Sequence, residues 1–269
     1  MNILGVDTAA RIGADKAKIL YDNGVRFAGR YLVPPGMNKH LTADEAAGLR
    51  AAGLAILLCW EIGGSDVKGG REQGLKDGSR AKALAQEFGV PAGVTIYFAC
   101  DYGAPVSDYP VIEEYIRAAQ EAAAPYVAGL YGHAGLVNHL AEKGACAQFW
   151  QCTAWSYGQL SPHADVYQYQ WSGGAESKAM AAKVGFAVDM NVCGDLRAAG
   201  LWLPPDPEPE THWYDATMRW GLEQGIITEE RPTDFATRAE VVQMIRNYNG
   251  RFEQEDYEDM TRPSGLLSD

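Results

Sequence analysis

Thr95-Ile-Tyr-Phe-Ala-Cys-Asp101 is a short apolar run preceded by Val-Pro-Ala-Gly and soon followed by another glycine and proline. Its length and boundaries are typical of a buried strand rather than a helix. The run ends in a carboxylate, and a buried strand that ends in an acid can direct a charge into a pocket at one end of a sheet. One aspartate after one strand is more often a turn former or a helix cap, so the prediction depends on whether the pattern recurs.

The pattern does recur. Strand-like runs end near Asp7, Tyr31, Glu61, Asp101, Tyr131, Gln151, Gln170 and Asp189. Helical patterns separate the first five runs, and this alternation predicts an α/β fold, a (β/α)8 TIM-like barrel over residues 1–203. The last three runs lie too close together for a full helix after each, so we expect the barrel to be incomplete there. The alternative is an open doubly wound sheet, which is disfavoured because no Gly-x-Gly-x-x-Gly follows the first run.

The distribution of charge indicates a second, smaller region. Residues 1–205 hold 20 acids and 17 bases, whereas residues 206–269 hold 15 acids and 6 bases. A Pro/Glu-rich linker over 204–211 separates the barrel from a small helical module predicted over 212–250, and an acidic tail follows over 251–269. The net charge of −12 argues against nucleic acid or an anionic membrane as a partner, because both are polyanions.

The cysteines and the N-terminus point to no special chemistry. None of the five cysteines has metal-ligand spacing, so buried reduced thiols are expected, with no metal site and no cofactor. The chain opens directly into an apolar strand without a signal-peptide pattern, and no run approaches transmembrane length. We therefore expect synthesis in the cytoplasm, with separate release if the protein acts outside the cell.

Several short motifs carry a family resemblance that covers nearly all of residues 1–200 in order. They are Gly5-Val-Asp-Thr8, Phe27-Ala-Gly-Arg-Tyr-Leu32, Leu41-Thr-Ala-Asp-Glu45, Gly89-Val-Pro-Ala-Gly93, Ile96-Tyr-Phe-Ala-Cys-Asp101, Gly129-Leu-Tyr-Gly132, Phe149-Trp-Gln151, Gln168-Tyr-Gln170 and Val188-Asp-Met-Asn191. With these motifs the chain resembles the glycoside-hydrolase-like domains of the DUF1906 family. These are relatives of the lysozyme-type family 25 muramidases of phage endolysins and bacterial cell-wall enzymes. The resemblance implies a hydrolase of peptidoglycan, with host-cell lysis by a phage enzyme as one setting.

The C-terminal module has a resemblance of its own. Trp213-Tyr214, Trp220-Gly-Leu222, Gly225-Ile-Ile227 and Thr237-Arg-Ala-Glu240 are similar to a single S-layer-homology repeat. This resemblance implies attachment to cell-wall polysaccharide, where such repeats commonly occur in sets of three. With one repeat present, a homodimer formed through this module is the alternative.

The barrel prediction places four carboxylates together, because Asp7, Glu61, Asp101 and Asp189 would lie at the C-terminal ends of strands one, three, four and eight. Crowded carboxylates raise at least one pKa, and glycoside hydrolysis needs one protonated and one ionised carboxyl group. The predicted sugar-binding residues near them are Tyr31, Tyr131, Trp150, Gln151, Tyr169 and Gln170.

One departure from the related muramidases concerns the proton donor. Family 25 enzymes carry Asp-x-Glu on strand four, and the corresponding segment here is Asp101-Tyr-Gly103. We therefore expect Glu61 to supply the proton. The alternatives are a catalytically silent carbohydrate-binding barrel, or a phage structural or wall-attachment protein. Asp7 and Asp189 could instead pair with Arg30 or hold backbone amides at the end of the barrel.

Overall fold

The computed structural model of the chain divides it into two units, Met1–Pro205 and Asp206–Asp269. It describes residues 3–205 and the single positions 216, 219, 220 and 223. Apart from these positions, the predicted linker beyond 205, the helical module over 212–250 and the tail over 251–269 lie outside the described residues.

Eight strands form a closed barrel in chain order, which confirms the predicted α/β TIM-like fold. The strands are β1 (Ile3–Asp7), β2 (Val25–Tyr31), β3 (Ala55–Trp60), β4 (Thr95–Ala99), β5 (Val127–Gly132), β6 (Phe149–Cys152), β7 (Val166–Gln170) and β8 (Asp189–Cys193).

Six α-helices surround the barrel. They are α1 (Ala14–Asp22), α2 (Ala43–Ala51), α3 (Gly70–Glu87), α4 (Tyr109–Ala123), α5 (Ala134–Glu142) and α6 (Ala175–Val184). Thr42 and Glu45 form half of a capping box at the start of α2, because Thr42 Oγ1 accepts a hydrogen bond from the backbone N–H of Glu45 at 3.2 Å. The Glu45 carboxylate turns away from this cap and binds Arg30.

The barrel departs from the predicted pattern in its last third. No helix connects β6 to β7, and residues 153–165, all of them described, form turns and loops instead. β8 runs antiparallel to both β1 and β7, so the prediction of eight parallel strands is wrong for the last strand. The expected incompleteness therefore lies in the helical layer, because the sheet itself is closed.

The reversed direction of β8 changes how Asp189 reaches the rim. Asp189 is the first residue of β8, whereas the sequence prediction placed it at the C-terminal end of that strand. Because β8 is antiparallel, its beginning lies beside the end of β1, and Asp189 is the direct cross-strand partner of Asp7. The predicted strand direction and the predicted position of Asp189 within the strand were both wrong, and the two errors compensate each other. Asp189 therefore lies at the predicted end of the barrel.

Aromatic side chains fill the barrel interior. Phe27 and Tyr97 are fully buried there, and each lies against a glycine of a neighbouring strand, so that a methyl group at Gly5 or Gly129 would collide with a ring. The Tyr97 hydroxyl donates to the carbonyl of Ala199 at 2.7 Å, in a segment that closes the end of the barrel opposite the rim. None of the helices in the described part of the chain is long and apolar enough to cross a bilayer.

Candidate active site

A cavity of about 110 Å³ opens at the rim formed by the C-terminal ends of the parallel strands, and we call it the rim cavity. Its lining contains all four predicted carboxylates and three of the predicted sugar-binding residues. The lining residues are Asp7, Tyr31, Cys59, Glu61, Asp101, Tyr131, Trp150, Gln168 and Asp189. The barrel therefore gathers side chains from all eight of its strands, or from the residues just after them, around one small space.

Asp7 is the most deeply buried of the four carboxylates, with 7% of its surface exposed. Its Oδ2 accepts hydrogen bonds from Asn191 Nδ2 at 2.7 Å and from Gln168 Nε2 at 2.9 Å. Burial, together with the charge of Asp189 directly opposite, raises the pKa of Asp7 to about 7, although both amide hydrogen bonds act against this rise. Asp7 therefore titrates near neutral pH rather than in the acid range of an ordinary aspartate.

The two side-chain amides that donate hydrogen bonds to Asp7 each have a fixed orientation. Gln168 Oε1 accepts from the Tyr131 hydroxyl at 3.0 Å, and Asn191 Oδ1 accepts from Trp150 Nε1 at 2.8 Å. The indole N–H can only donate, so the oxygen of Asn191 must face Trp150 and its NH2 must face Asp7. Gln168 Nε2 also donates to Asp189 Oδ2 at 3.1 Å and thereby links the two carboxylates.

Glu61 lies on the other side of the rim cavity and has a cationic partner. Lys39 Nζ donates to Glu61 Oε1 at 2.8 Å and lies 4.4 Å from the centre of the Tyr31 ring. Burial raises the pKa of Glu61, and the hydrogen bond and charge of Lys39 oppose that rise. Both side chains are more than four-fifths buried, so solvent screens this pair only weakly.

Asp101 follows β4, is exposed at the rim and contacts the glycine-rich loop after β3. Its backbone N–H donates to the carbonyl of Gly64 at 2.8 Å, and Gly64 packs against the Asp101 side chain. Burial raises the pKa of Asp101 and the charge of Lys39 lowers it. Burial likewise raises the pKa of Asp189, while hydrogen bonds from Ser172 lower it. Desolvation thus raises the pKa of every carboxylate that lines the rim cavity.

A second, wider cavity of about 300 Å³ adjoins the rim cavity and shares Asp7, Tyr31 and Asp189 with it. Thr8, Ala9, Ala10, Ser172 and Ala187 complete its lining. The space beside Asp7 and Asp189 therefore extends outward between the loops that follow β1 and β7.

Three of the predicted sugar-binding residues lie away from both cavities. Gln151 is fully buried and bonds to the loop after β6, with Nε2 donating to the Gln159 carbonyl at 2.8 Å and Oε1 accepting from Ser161 N at 2.7 Å. The Tyr169 hydroxyl donates to Glu176 Oε2 at 2.7 Å on the outside of the barrel. Gln170 Oε1 accepts from the N–H of Ser177 in the first turn of α6.

The site predicted from the sequence did not include Lys39, Gln168 or Asn191. Strand alternation signals two of them, because Gln168 lies two residues after the interior Val166, and Asn191 lies two residues after Asp189. Lys39 lies in a loop without periodicity, and nothing in the local sequence marks it. Arg30, the alternative partner of Asp7, instead forms a buried ion pair with Glu45 at 2.7 Å. Within residues 3–205, no group of three or more His, Cys, Asp or Glu side chains is arranged to hold a metal ion.

The Lys39–Glu61 contact leads to a titration prediction. Replacing Lys39 with methionine keeps most of the apolar stem and removes the charge and the hydrogen bond, so the pKa of Glu61 is expected to rise. Carboxyl-carbon NMR titration of the wild-type and variant proteins measures this shift. Lys68→Met is the matched control, because Lys68 also pairs with a carboxylate and stacks on a tyrosine, at Asp108 and Tyr102. An unchanged Glu61 titration in the Lys39 variant would contradict the prediction.

Comparisons with known proteins identify the family. The family described as "Rv2525c-like, glycoside hydrolase-like domain" matches residues 18–193. The uncharacterized protein YbfG of Bacillus subtilis (strain 168) is 34% identical over 160 residues, which are 51% of this chain and 21% of YbfG. The chain thus spans about a fifth of that relative. The match to the family ends before residue 212, so the S-layer-like module stays a prediction.

Solved structures agree in fold. The crystal structure of the Mycobacterium tuberculosis Tat-secreted protein Rv2525c in complex with L-tartrate superposes with a TM-score of 0.64 at 24% identity, over 74% of this chain and 98% of that chain. An uncharacterized B. stearothermophilus protein superposes with a TM-score of 0.54 at 21% identity, over 74% and 100%. Since the family match covers most of the barrel, the chain belongs to the Rv2525c-like, glycoside hydrolase-like domain family.

Proposed function

We propose that this barrel is a glycosidase acting on bacterial cell-wall glycan, with its reaction centre in the rim cavity. The observation that carries the proposal is the pairing of Asp7 with Asp189. The two are direct cross-strand partners in a buried setting, and the pKa of Asp7 is raised to about 7. Glycoside hydrolysis needs one carboxyl group that keeps its proton near neutral pH beside others that are ionised.

The contacts support Asp7, rather than Glu61, as the proton donor. Because Asp7 Oδ2 already accepts two N–H groups, the proton resides on Oδ1. Donation from Oδ1 to the glycosidic oxygen would accompany breakage of the bond between that oxygen and the anomeric carbon. A water molecule would then add to the anomeric carbon, and the proton it releases would return to Asp7. Lys39 favours the ionised form of Glu61, so we assign Glu61 and Asp101 to stabilising the positive charge that develops on the sugar.

Two assays on purified Gram-positive cell walls test this proposal together. Loss of turbidity accompanied by new reducing ends is the expected result. Products with new amines and no new reducing ends would identify an amidase or peptidase and contradict a glycosidase. The proposal also includes release of the protein to the wall, attachment through residues 212–250, homodimer formation through that module and a phage origin.

Glu61→Gln provides a residue-level prediction. The substitution keeps the shape of the side chain and removes the charge that would stabilise the sugar cation, so the rate of reducing-end formation is expected to fall about 100-fold. Glu121→Gln is the matched control, since Glu121 pairs with Arg71 at 2.7 Å on the exposed surface of α3 and α4. Activity of Glu61→Gln equal to that of Glu121→Gln would remove Glu61 from the reaction.

A carbohydrate-binding barrel without catalysis is the second candidate, and one contact favours it. Gly103, at the position of the family 25 glutamate, lies beneath Trp155, and a methyl group there would come within 2.8 Å of the indole Cδ1. The position has no room for a carboxylate side chain unless the indole moves. Glycan binding without new reducing ends, under conditions where a family 25 muramidase is active, would support this candidate over hydrolysis.

A further inference from the structure

Two tryptophans on the rim loops are exposed, and each rests on a glycine. Trp155 is 39% exposed and Trp171 is 66% exposed. A methyl group at Gly103 would lie 2.8 Å from the Trp155 ring, and one at Gly173 would lie 2.0 Å from the Trp171 ring. In both cases the glycine lets one part of the indole lie against backbone, while another part stays open to water. Exposed apolar side chains that lie together mark binding surfaces, and Tyr157, which is also exposed, shares the loop of Trp155.

The loop that carries Trp155 is held in place, and its backbone is strained. Trp155 has a φ of 55° and Tyr157 a φ of 51°, in the left-handed region that costs a non-glycine residue on the order of 1 kcal/mol. Ser156 Oγ donates to the Cys152 carbonyl at 2.6 Å and accepts from Ala134 N at 3.0 Å. The buried Gln151 amide fixes the other end of the loop. The surrounding bonds therefore maintain a costly conformation that leaves an aromatic ring exposed.

Both tryptophans lie near residues that line the two cavities. Gly103, under Trp155, lies two residues after Asp101 of the rim cavity. Trp171 immediately precedes Ser172, which lines the wider cavity beside Asp189. Trp155 lies on the loop after β6 and leans against the segment after β4, whereas Trp171 directly follows β7, so the two indoles occupy separate positions along the rim.

We propose that Trp155 and Trp171 are stacking platforms for sugar rings of a glycan chain that extends past the rim cavity. This inference rests on the proposed saccharide specificity of that cavity. The apolar C–H face of a pyranose fits an exposed indole, and its hydroxyl groups remain in water. The net charge of −12 and the four carboxylates disfavour a polyanionic ligand at the same surface.

The test measures binding of N-acetylglucosamine oligomers of two and six units, and retention on insoluble Gram-positive peptidoglycan. Trp155→Ala and Trp171→Ala are each expected to weaken binding of the six-unit oligomer and of peptidoglycan about five- to tenfold. Binding of the two-unit oligomer, which we expect at the carboxylates rather than at the indoles, is expected to stay unchanged. Gly103→Ala and Gly173→Ala keep the indoles but displace them, and they are expected to show the same selective loss.

Tyr21→Ala is the matched control, because Tyr21 is 39% exposed like Trp155 but lies on α1 near the opposite end of the barrel. Circular dichroism melting shows whether each variant is folded. If the two tryptophan and two glycine variants all bind the six-unit oligomer with wild-type affinity, the indoles are not stacking platforms. This conclusion would hold whether or not the protein hydrolyses glycan. Selective loss of long-chain binding without any hydrolysis would support the platforms while contradicting the glycosidase proposal. No binding of either oligomer or of peptidoglycan by the wild-type protein would overturn both.

Discussion

Asp7→Asn is expected to lower the rate of glycan hydrolysis by about 10²- to 10⁴-fold, the range associated with loss of a general acid. Asparagine can present its side-chain oxygen to Gln168 and Asn191 as Asp7 Oδ2 does, so the surrounding hydrogen bonds are retained. What the variant lacks is the proton on Oδ1. Reducing-end assays at pH 5 to 8 measure the effect. In the wild-type protein the activity that depends on protonated Asp7 is expected to fall as the pH rises through about 7.

The same variant is expected to be more stable than the wild-type protein at neutral pH, although its activity is lower. Burial raises the pKa of Asp7 to about 7 in the folded chain, from its ordinary value of 3.8. The folded protein therefore binds this proton more tightly than the unfolded chain does. Its contribution to stability is complete below about pH 4 and is lost as the pH rises through about 7. Relative to wild type, Asp7→Asn should therefore gain up to about 4 kcal/mol in unfolding free energy across that interval. Equal pH dependence of the two proteins, or unaltered hydrolysis, would contradict the assignment.

Glu45→Gln is expected to destabilise the barrel by about 3–5 kcal/mol, because it leaves the Arg30 guanidinium charged and buried without its counter-ion. Both side chains are fully buried, with Arg30 Nε 2.7 Å from Glu45 Oε1. Glu45 Oε1 also accepts from the N–H of Ile12 at 2.8 Å, and Arg30 donates to the Thr8 carbonyl. The pair thus ties α2 and β2 to the segment that follows Asp7.

Thermal unfolding measures this effect, and a melting temperature lower by about 10 °C is expected for a domain of this size. Glu113→Gln is the matched control, because Glu113 pairs with Arg117 at 2.9 Å on a partly exposed helix face, where such a pair contributes about 0.5 kcal/mol or less. Comparable melting temperatures for the two variants would show that the buried pair contributes no more than the surface one.

The sequence predicted the barrel and its carboxylates because both depend on local patterns. Asp7, Glu61 and Asp101 each follow a buried run, and parallel strands bring such ends to one rim. Three of the six residues predicted to bind sugar do not follow the same geometry. Neighbouring residues of a strand face opposite sides, so Trp150 and Gln151 cannot both point into the barrel. Trp150 lies inside and Gln151 supports the loop outside.

The direction of a strand and the contacts between distant loops could not be predicted from local sequence patterns. Nothing local to Asp189 reveals that β8 is antiparallel, because that depends on pairing with β1 and β7. A register irregularity between Gln168 and Gln170 turns Gln170 towards α6, although alternation alone would place both on the interior face. The Lys39–Glu61 contact joins two loops 22 residues apart, and it follows only from the closed barrel.

The reversed last strand also determines where the chain enters and leaves the barrel. Ile3 begins β1 and Cys193 ends β8, and the two are cross-strand partners at the end opposite the rim cavity. If all eight strands were parallel, the last would end beside the carboxylates instead. A resin, sensor chip or fusion protein attached at Ile3 or at Cys193 would therefore lie at the end of the barrel away from the cavity.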